Sequence, residues 1–409
     1  MHRILFVTKS PPVPISIGGN QRANLLWRAL SALGSVDLVV MDNMSIAEQE
    51  NHRQQFNLLD AFALPSAGQS GRWADVRRLA PNWTDRLAHH LGGIQWMYQR
   101  NASVSERIEK HLVAGKYSII VGCPAETMAR SDPFRFCPVI LDNHDLAASY
   151  YQSRLDAGGG LNPGRVLLTR HLRQLKKVLP PLFRRCAAVF ISNEKDRLFP
   201  GLEKGVLLPN IPFPDHVSKN PFPENDESLN ALTVGAYSHK PNEEGVDYFV
   251  QHVWPEVRRR VPSAEYRIVG TGITNDMRKK WVGVPGVNVI GFVPDLASEY
   301  QSAAFAVVPI QWGAGTNIKV LEALAYGRTC VLAPFARRGY EHTLRHNEAL
   351  LVAVNAADMR EACVHLLEDA VLRARLAAKG CEIVQREYTF EKFCSIVKQS
   401  LTPLIASAT

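Results

Sequence analysis

The sequence predicts an α/β protein made of two doubly wound parallel sheets, and three observations carry the prediction. Short β-rich runs alternate with amphipathic helical patterns through the first half, the mark of a parallel sheet with helices on its faces. A proline-rich stretch then breaks the pattern near residues 209–229, and the same alternation restarts after it. With 409 residues, the chain is long enough for two sizeable cores.

Taken in order, "RILFVT", "VDLVVM", "YSIIVG", "PVILDN" and "AAVFIS" read as the strands of a first domain over 1–208. Helical patterns such as "NQRANLLWRALSAL" lie between them. Residues 45–112 show amphipathic stretches and no clear strand, and are expected to form a helical insertion. "PNIPFPDHVSKNPFPENDESL" holds five prolines and several polar residues, so 209–229 is the expected linker. The second domain, over 230–385, begins with "ALTVGAY" and a helix through 243–260. It continues with "EYRIVG", "VNVIGFV", "AAFAVVPI", "TCVLAP" and "ALLVAV". Residues 386–409 close the chain as a helix. Open parallel sheets of this kind bind ligands at the carboxyl ends of their strands.

Composition narrows the setting. A 46% hydrophobic and 21% charged chain is ordinary for a soluble globular protein. The longest apolar runs fall far short of the roughly 20 residues that cross a bilayer, and "MHRILFVTK" reads as a first strand, not a secretory signal. Seven cysteines without a C-x-x-C pair suit a reducing compartment and offer no zinc pattern. The expected location is cytoplasmic. The net charge of +8 is concentrated: from Ala157 to Asn193 there is no Asp or Glu, but seven Arg or Lys residues. Leucines spaced three and four apart make 165–179 an amphipathic helix with a basic polar face. Such a face is commonly just solvated; it also suits an anionic membrane surface, which would place the protein on the inner face of a membrane. No aromatics interleave with the basic run and no nucleic-acid motif appears, so nucleic acid is not an expected partner.

Two loops point to phosphate chemistry. After the first strand, Gly18 and Gly19 immediately precede a helix, where backbone N–H groups can approach an anion; the pair also suits a plain turn. The stretch "WGAGTNIKVLEALAYG" is richer. Gly313 and Gly315 free the loop, Thr316 or Asn317 can cap the following helix, and Lys319 adds a cation to its amino end. Glu322 lies three residues beyond Lys319 on the same side, where its two oxygens match a ribose diol. The competing reading is an ordinary capped helix with a Lys and a Glu at its rim.

The blocks "VGAYSHKPNEEGVDYF", "YRIVGTG" and "VNVIGFVPDLASEYQSAAFAVVPIQWGAGTNIKVLEALAYGRTCVLAP" resemble, in order and spacing, a retaining GT-B glycosyltransferase of family 4, the glycosyl transferases group 1 type. "GGNQRANLLWRAL" and "VILDNHDLAASYY" extend the resemblance more weakly into the first half. It implies two Rossmann-like domains facing across a cleft, with the acceptor on the N-terminal domain and a nucleotide-diphosphate sugar on the C-terminal one. The final helix would cross back to the first domain. The implied activity is transfer of a hexosyl group, with retention, to a hydroxyl of a glycan or lipid-linked acceptor in polysaccharide or glycoconjugate biosynthesis. No cofactor beyond the donor co-substrate is implied.

Residue by residue, the resemblance gives Glu322 the ribose-binding place of the second acid in the family's E-x7-E motif. The first acid is replaced by Ala314, as in a subgroup reading "GAGxxxKxxEA". Gly315, Thr316, Asn317 and Lys319 would hold the diphosphate, joined by Lys240 and by the glycine loop at Gly18 and Gly19. In "LDNHDLAASYY", His144 corresponds to an active-site histidine near the anomeric centre, and Asp142 or Asp145 would hold its tautomer or contact the acceptor. No D-x-D metal motif stands in a suitable loop, so metal-independent catalysis is expected, with cations and helix dipole stabilising the leaving group. A nucleotide-sugar 2-epimerase of the same fold, or a non-catalytic binding subunit, are the alternatives. Donor base, sugar, acceptor and oligomeric state are not encoded in any motif.

Overall fold

A computed structural model describes residues 2–14, 18–64, 94–158, 163–214 and 227–406. The chain divides into two compact units, Met1–Pro209 with Phe393–Thr409, and Asn210–Lys392.

The first unit runs β1 (Arg3–Thr8), α1 (Gly18–Ser31), β2 (Ser35–Val40), α2 (Ile46–Phe56), β3 (Leu58–Ala61), a 3-10 turn (Ile94–Tyr98), α3 (Ala102–Gly115), β4 (Ile119–Cys123), α4 (Ala125–Ser131), β5 (Val139–Asp142), α5 (Ala147–Ala157), α6 (Pro163–Arg185), β6 (Ala188–Ile191) and β7 (Val206–Leu207). The strands form one parallel sheet in the order β3-β2-β1-β4-β5-β6-β7. Central strands such as "ILFV" and "IIVGC" are buried along their whole length, as expected where helices cover both faces. The register aligns Thr8 with Cys123 and Gly122 with Leu141, so the ends of β1, β4 and β5 share one edge.

Two expectations need correction here. The stretch 45–112 does contain a strand: β3 pairs in parallel with β2 after the capped helix α2, extending the sheet instead of interrupting it. Four residues with only Leu58 buried are too short to register as an alternating pattern. Residues 65–93 of the expected insertion lie outside the described residues. The basic helix is also longer than 165–179. It continues through Pro180 and Pro181 to Arg185, because Leu182 and Phe183 prolong the buried stripe of Leu172, Leu175 and Leu179.

In the second unit the order is β8 (Asn230–Ala236), α7 (Lys240–His252), α8 (Trp254–Arg260), β9 (Glu265–Thr271), α9 (Asn275–Val282), β10 (Val287–Gly291), α10 (Ala297–Ser302), β11 (Phe305–Val308), α11 (Ile318–Ala325), β12 (Cys330–Leu332), β13 (Leu351–Val352), α12 (Ala356–Glu368) and α13 (Ala370–Glu387). Its parallel sheet has the order β10-β9-β8-β11-β12-β13. The single helix expected over 243–260 is two helices. Val253 is a turn residue between them, at φ −118°, and Pro255, in the first turn of α8, has no N–H to continue the ladder. Trp254, Tyr266 and Phe249 pack together beneath that break, with Trp254 and Tyr266 ring centres 5.4 Å apart.

α14 (Phe390–Ala406) ends the described chain, and from Phe393 onward it groups with the first unit. Its buried residues Phe393, Val397, Leu401 and Ile405 recur every four positions. Most of the expected linker, residues 215–226, lies outside the described residues. Among those described, Ile211 is buried. No helix among the described residues is long and apolar enough to cross a membrane.

Candidate active site

The first unit gathers a buried charged cluster at the carboxyl edge of its sheet. Asp142 ends β5 and is fully buried. Arg22, also buried, projects from α1 and grips it with two prongs, Nη2 donating to Oδ1 at 2.7 Å and Nε to Oδ2 at 3.1 Å. The second terminal nitrogen of Arg22 donates to the carbonyls of Leu208 and Pro209, and the guanidinium lies 5.3 Å from the ring centre of Phe393. His144 is the second residue after the strand, with Nδ1 3.1 Å from Asp142 Oδ2. Its Nε2 is 3.9 Å from the exposed carboxylate of Asp145, too far for a hydrogen bond.

The electrostatics follow from this packing. Burial works against ionisation of Asp142, but the charge of Arg22, aided by His144 and the hydrogen bonds of both, holds its carboxyl well below the usual range. Burial pushes the His144 pKa down, and the hydrogen bond and charge of Asp142, with Asp145, outweigh it, so the net shift is upward. Asp142 therefore fixes the imidazole with Nδ1–H directed inward. Burial raises the Cys123 thiol well above its ordinary value, and the neighbouring Asp142 charge adds to it. Cys123, Asp142 and His144 bring a sulfur, an oxygen and a nitrogen within 4.8 Å of one another, a set that a metal can use. Arg22 already occupies both carboxylate oxygens and supplies the positive charge, and a protonated thiol is a poor ligand, so these residues fit a hydrogen-bonded relay better than a metal centre.

At the amino end of α1, Gly18 opens the helix and Gly19 lies against Ser10: a Cβ on Gly19 would come 2.8 Å from the serine Oγ. Asn20 ties this end to the loop after β1 by donating to the Pro11 carbonyl at 2.7 Å. Residues 15–17 of that loop lie outside the described residues.

In the second unit the loop before α11 turns through two positive-φ glycines, Gly313 at 150° and Gly315 at 58°. Trp312 anchors it, donating from Nε1 to Glu244 at 3.0 Å. The cap expected from Thr316 or Asn317 is not formed. The Thr316 hydroxyl accepts from Asn210 Nδ2 at 2.9 Å, and the Asn317 side chain makes no capping bond. The first turn of α11 is thus left without a side-chain cap and without an acidic residue, which leaves the positive end of the helix dipole uncompensated.

Lys319 and Glu322 share this helix end. Both are set deep among protein atoms yet still reached by solvent. Burial lowers the Lys319 pKa to about 8, opposed by Glu322, and burial raises that of Glu322 to about 7, opposed by Lys319. Lys319 Nζ donates to Asn242 Oδ1 at 2.6 Å. Lys240, by contrast, is exposed and paired with Glu243 at 2.8 Å. The loop, the bare amino end and Lys319 form one group suited to an anion, with the Glu322 carboxyl beside it, whereas Lys240 is already matched by an acid.

The contacts made by Arg22 and Asn242 were not legible from sequence. Arg22 reads as one more polar residue in an amphipathic helix, and Asn242 as a helix cap. No local signal marks an ion pair between residues 120 positions apart.

The two parallel-strand, Rossmann-like sheets with flanking helices match solved GT-B glycosyltransferase structures, and the fold is of that class. Residues 228–369, which carry Lys240, Asn242, Lys319 and Glu322, match the family model described as glycosyl transferases group 1. Among solved structures, the chain is similar to a sucrose-phosphate synthase from Thermosynechococcus elongatus, with a TM-score of 0.67 and 16% identity over 100% of both chains. It is also similar to Anabaena Alr3699/HepE in complex with UDP and glucose, with a TM-score of 0.67 and 12% identity over 98% of this chain and 100% of the other. A UDP-forming alpha, alpha-trehalose-phosphate synthase from Burkholderia xenovorans gives 0.64 and 12% over 99% of both chains. No curated protein matches the chain by sequence.

Proposed function

We propose that this protein is a retaining glycosyltransferase that moves a sugar from a nucleotide diphosphate to a hydroxyl of a glycan or lipid-linked acceptor. The observation that carries the reading is the uncapped amino end of α11, with Lys319 in its first turn and Glu322 one turn later, inside the segment that matches the group 1 model. Helix amides and an ammonium suit a diphosphate, and a carboxylate suits the two hydroxyls of a ribose. A neighbour of the same fold, solved in complex with UDP and glucose, makes uridine-diphosphate sugars the first donors to test.

In the proposed reaction the bond between the anomeric carbon and the diphosphate oxygen breaks, and its electron pair leaves with the diphosphate. Lys319 and the amides of the α11 amino end stabilise that charge. The acceptor hydroxyl bonds to the same face of the anomeric carbon, and its proton passes to the departing phosphate oxygen. His144, held by Asp142, orients the donor sugar through Nε2. Ala314 leaves the donor sugar without a carboxylate at that position. Lys240 serves as a weaker second cation, since Glu243 must release it first. Gly18 and Gly19 offer amides to the donor phosphates.

The basic face of α6 supports a membrane-held or otherwise anionic acceptor. Arg170, Arg173, Lys176 and Lys177 are exposed, and no acid lies between Ala157 and Asn193. Incubation with UDP-, GDP- and ADP-sugars tests the whole reading. Transfer to an added acceptor supports it, release of an epimerised free sugar favours the epimerase alternative, and binding without turnover favours a non-catalytic subunit.

A further inference from the structure

The side chain of Asn242 is locked in one orientation. Its Nδ2 donates to the Ala236 carbonyl at 2.7 Å, which leaves Oδ1 as the acceptor for Lys319 Nζ at 2.6 Å. The residue is buried, and a Cβ on Gly235 would come 3.3 Å from that Nδ2, tighter than an ordinary contact. Glycine at 235, at the carboxyl end of β8, therefore makes room for the amide.

Lys319 differs from Lys240 in the kind of partner it has. Lys240 is neutralised by Glu243, while Lys319 is held by a neutral amide, and no carboxylate lies within 4.0 Å of its ammonium among the described residues. Glu322 acts on it only through space. An acid in place of Asn242 would aim the ammonium equally well and cancel its charge. An amide aims it and leaves the charge to be used.

Resting on the donor-site reading above, we propose that Asn242 is a positioning residue for phosphate recognition: it fixes Lys319 at the bare end of α11 while keeping its charge available to an anionic diphosphate. The specificity this confers is for the phosphate part of the donor and not for the nucleoside.

Calorimetric titration of the full chain with UDP, GDP and ADP, and with the matching nucleosides, tests the proposal. With whichever diphosphate binds, Asn242→Asp should lose about tenfold to a hundredfold in affinity, the span of one charge-assisted hydrogen bond. Asn242→Ala should lose less, and nucleoside binding should stay unchanged in both. In a Lys319→Met background, Asn242→Ala should cause no further loss, since the amide acts through the ammonium. Equal diphosphate affinity in Asn242→Asp and wild type, or a parallel loss of nucleoside and diphosphate binding, overturns the role of Asn242 alone. If Asn242→Asp fails to fold, the Ala variants in the two backgrounds decide, and additive losses overturn the proposal. A wild-type protein that binds none of the three diphosphates overturns the donor site itself, and this role with it.

Discussion

Arg22 and Asp142 form a buried two-pronged ion pair, and the carboxylate oxygen shared by the Arg22 Nε is the one that meets His144 Nδ1. The orientation of the histidine thus depends on a residue of the first helix, far away in sequence. Arg22 also bonds the carbonyls of Leu208 and Pro209, the last residues of the first unit before the chain enters the second.

Removing one partner of such a pair leaves a charge buried without compensation. Arg22→Met is expected to destabilise the first unit by about 3–5 kcal/mol in denaturant unfolding. Adding Asp142→Asn should recover part of that loss, because the stranded charge disappears. A single variant as stable as wild type would show that the pair contributes nothing to the fold.

His144→Ala should lower turnover about tenfold to a hundredfold, the size of one hydrogen bond to a charged group, once a donor and acceptor are known. Donor affinity should stay close to wild type. Steady-state kinetics with parallel binding measurements separate the two effects, and a loss confined to affinity would remove His144 from the reacting centre.

Donor binding should show a narrow pH window. Lys319 must be protonated to meet a diphosphate, so affinity should fall as the pH rises past about 8. Glu322 must be ionised to accept from a ribose diol, so affinity should also fall below about 7. Titration calorimetry from pH 6 to pH 9, a range of about three units, reads both limbs. Lys319→Met should abolish the alkaline limb and Glu322→Gln the acidic one.

The same two groups burden the folded state. Glu322 is raised from 4.5 to about 7, so the folded protein holds this proton more tightly than the unfolded chain, and stability is lost as the pH rises across that interval. Lys319 is lowered from 10.5 to about 8, and its penalty is full below about 8 and relieved as the pH rises toward 10.5. Glu322→Gln should therefore melt at a higher temperature than wild type above pH 7 and show little difference near pH 4. A lower melting temperature at both would mean that the carboxylate makes a stabilising contact.

The sheets were legible because their strands are short runs with an apolar centre; "RILFVT" and "AVFI" can be read without knowing their neighbours. β3 was not, since "LLDA" buries one residue and owes its place to pairing with β2. The positive-φ loop at Gly313 and Gly315 was legible from glycine alone. The partners of its neighbours were not: Thr316 looks like a cap until Asn210 claims its hydroxyl, and Asn242 looks like a cap until Lys319 is brought against it. Local chemistry is written in spacing, whereas contacts between distant segments arise only when the strands take their order.

The most direct measurement of the central claim is calorimetric titration of UDP, GDP and ADP into the wild-type chain and into Lys319→Met and Glu322→Gln. The account predicts that at least one diphosphate binds, that Lys319→Met weakens the diphosphate far more than its nucleoside, and that Glu322→Gln weakens both. Binding unaltered by either substitution would contradict it and move the nucleotide away from the amino end of α11.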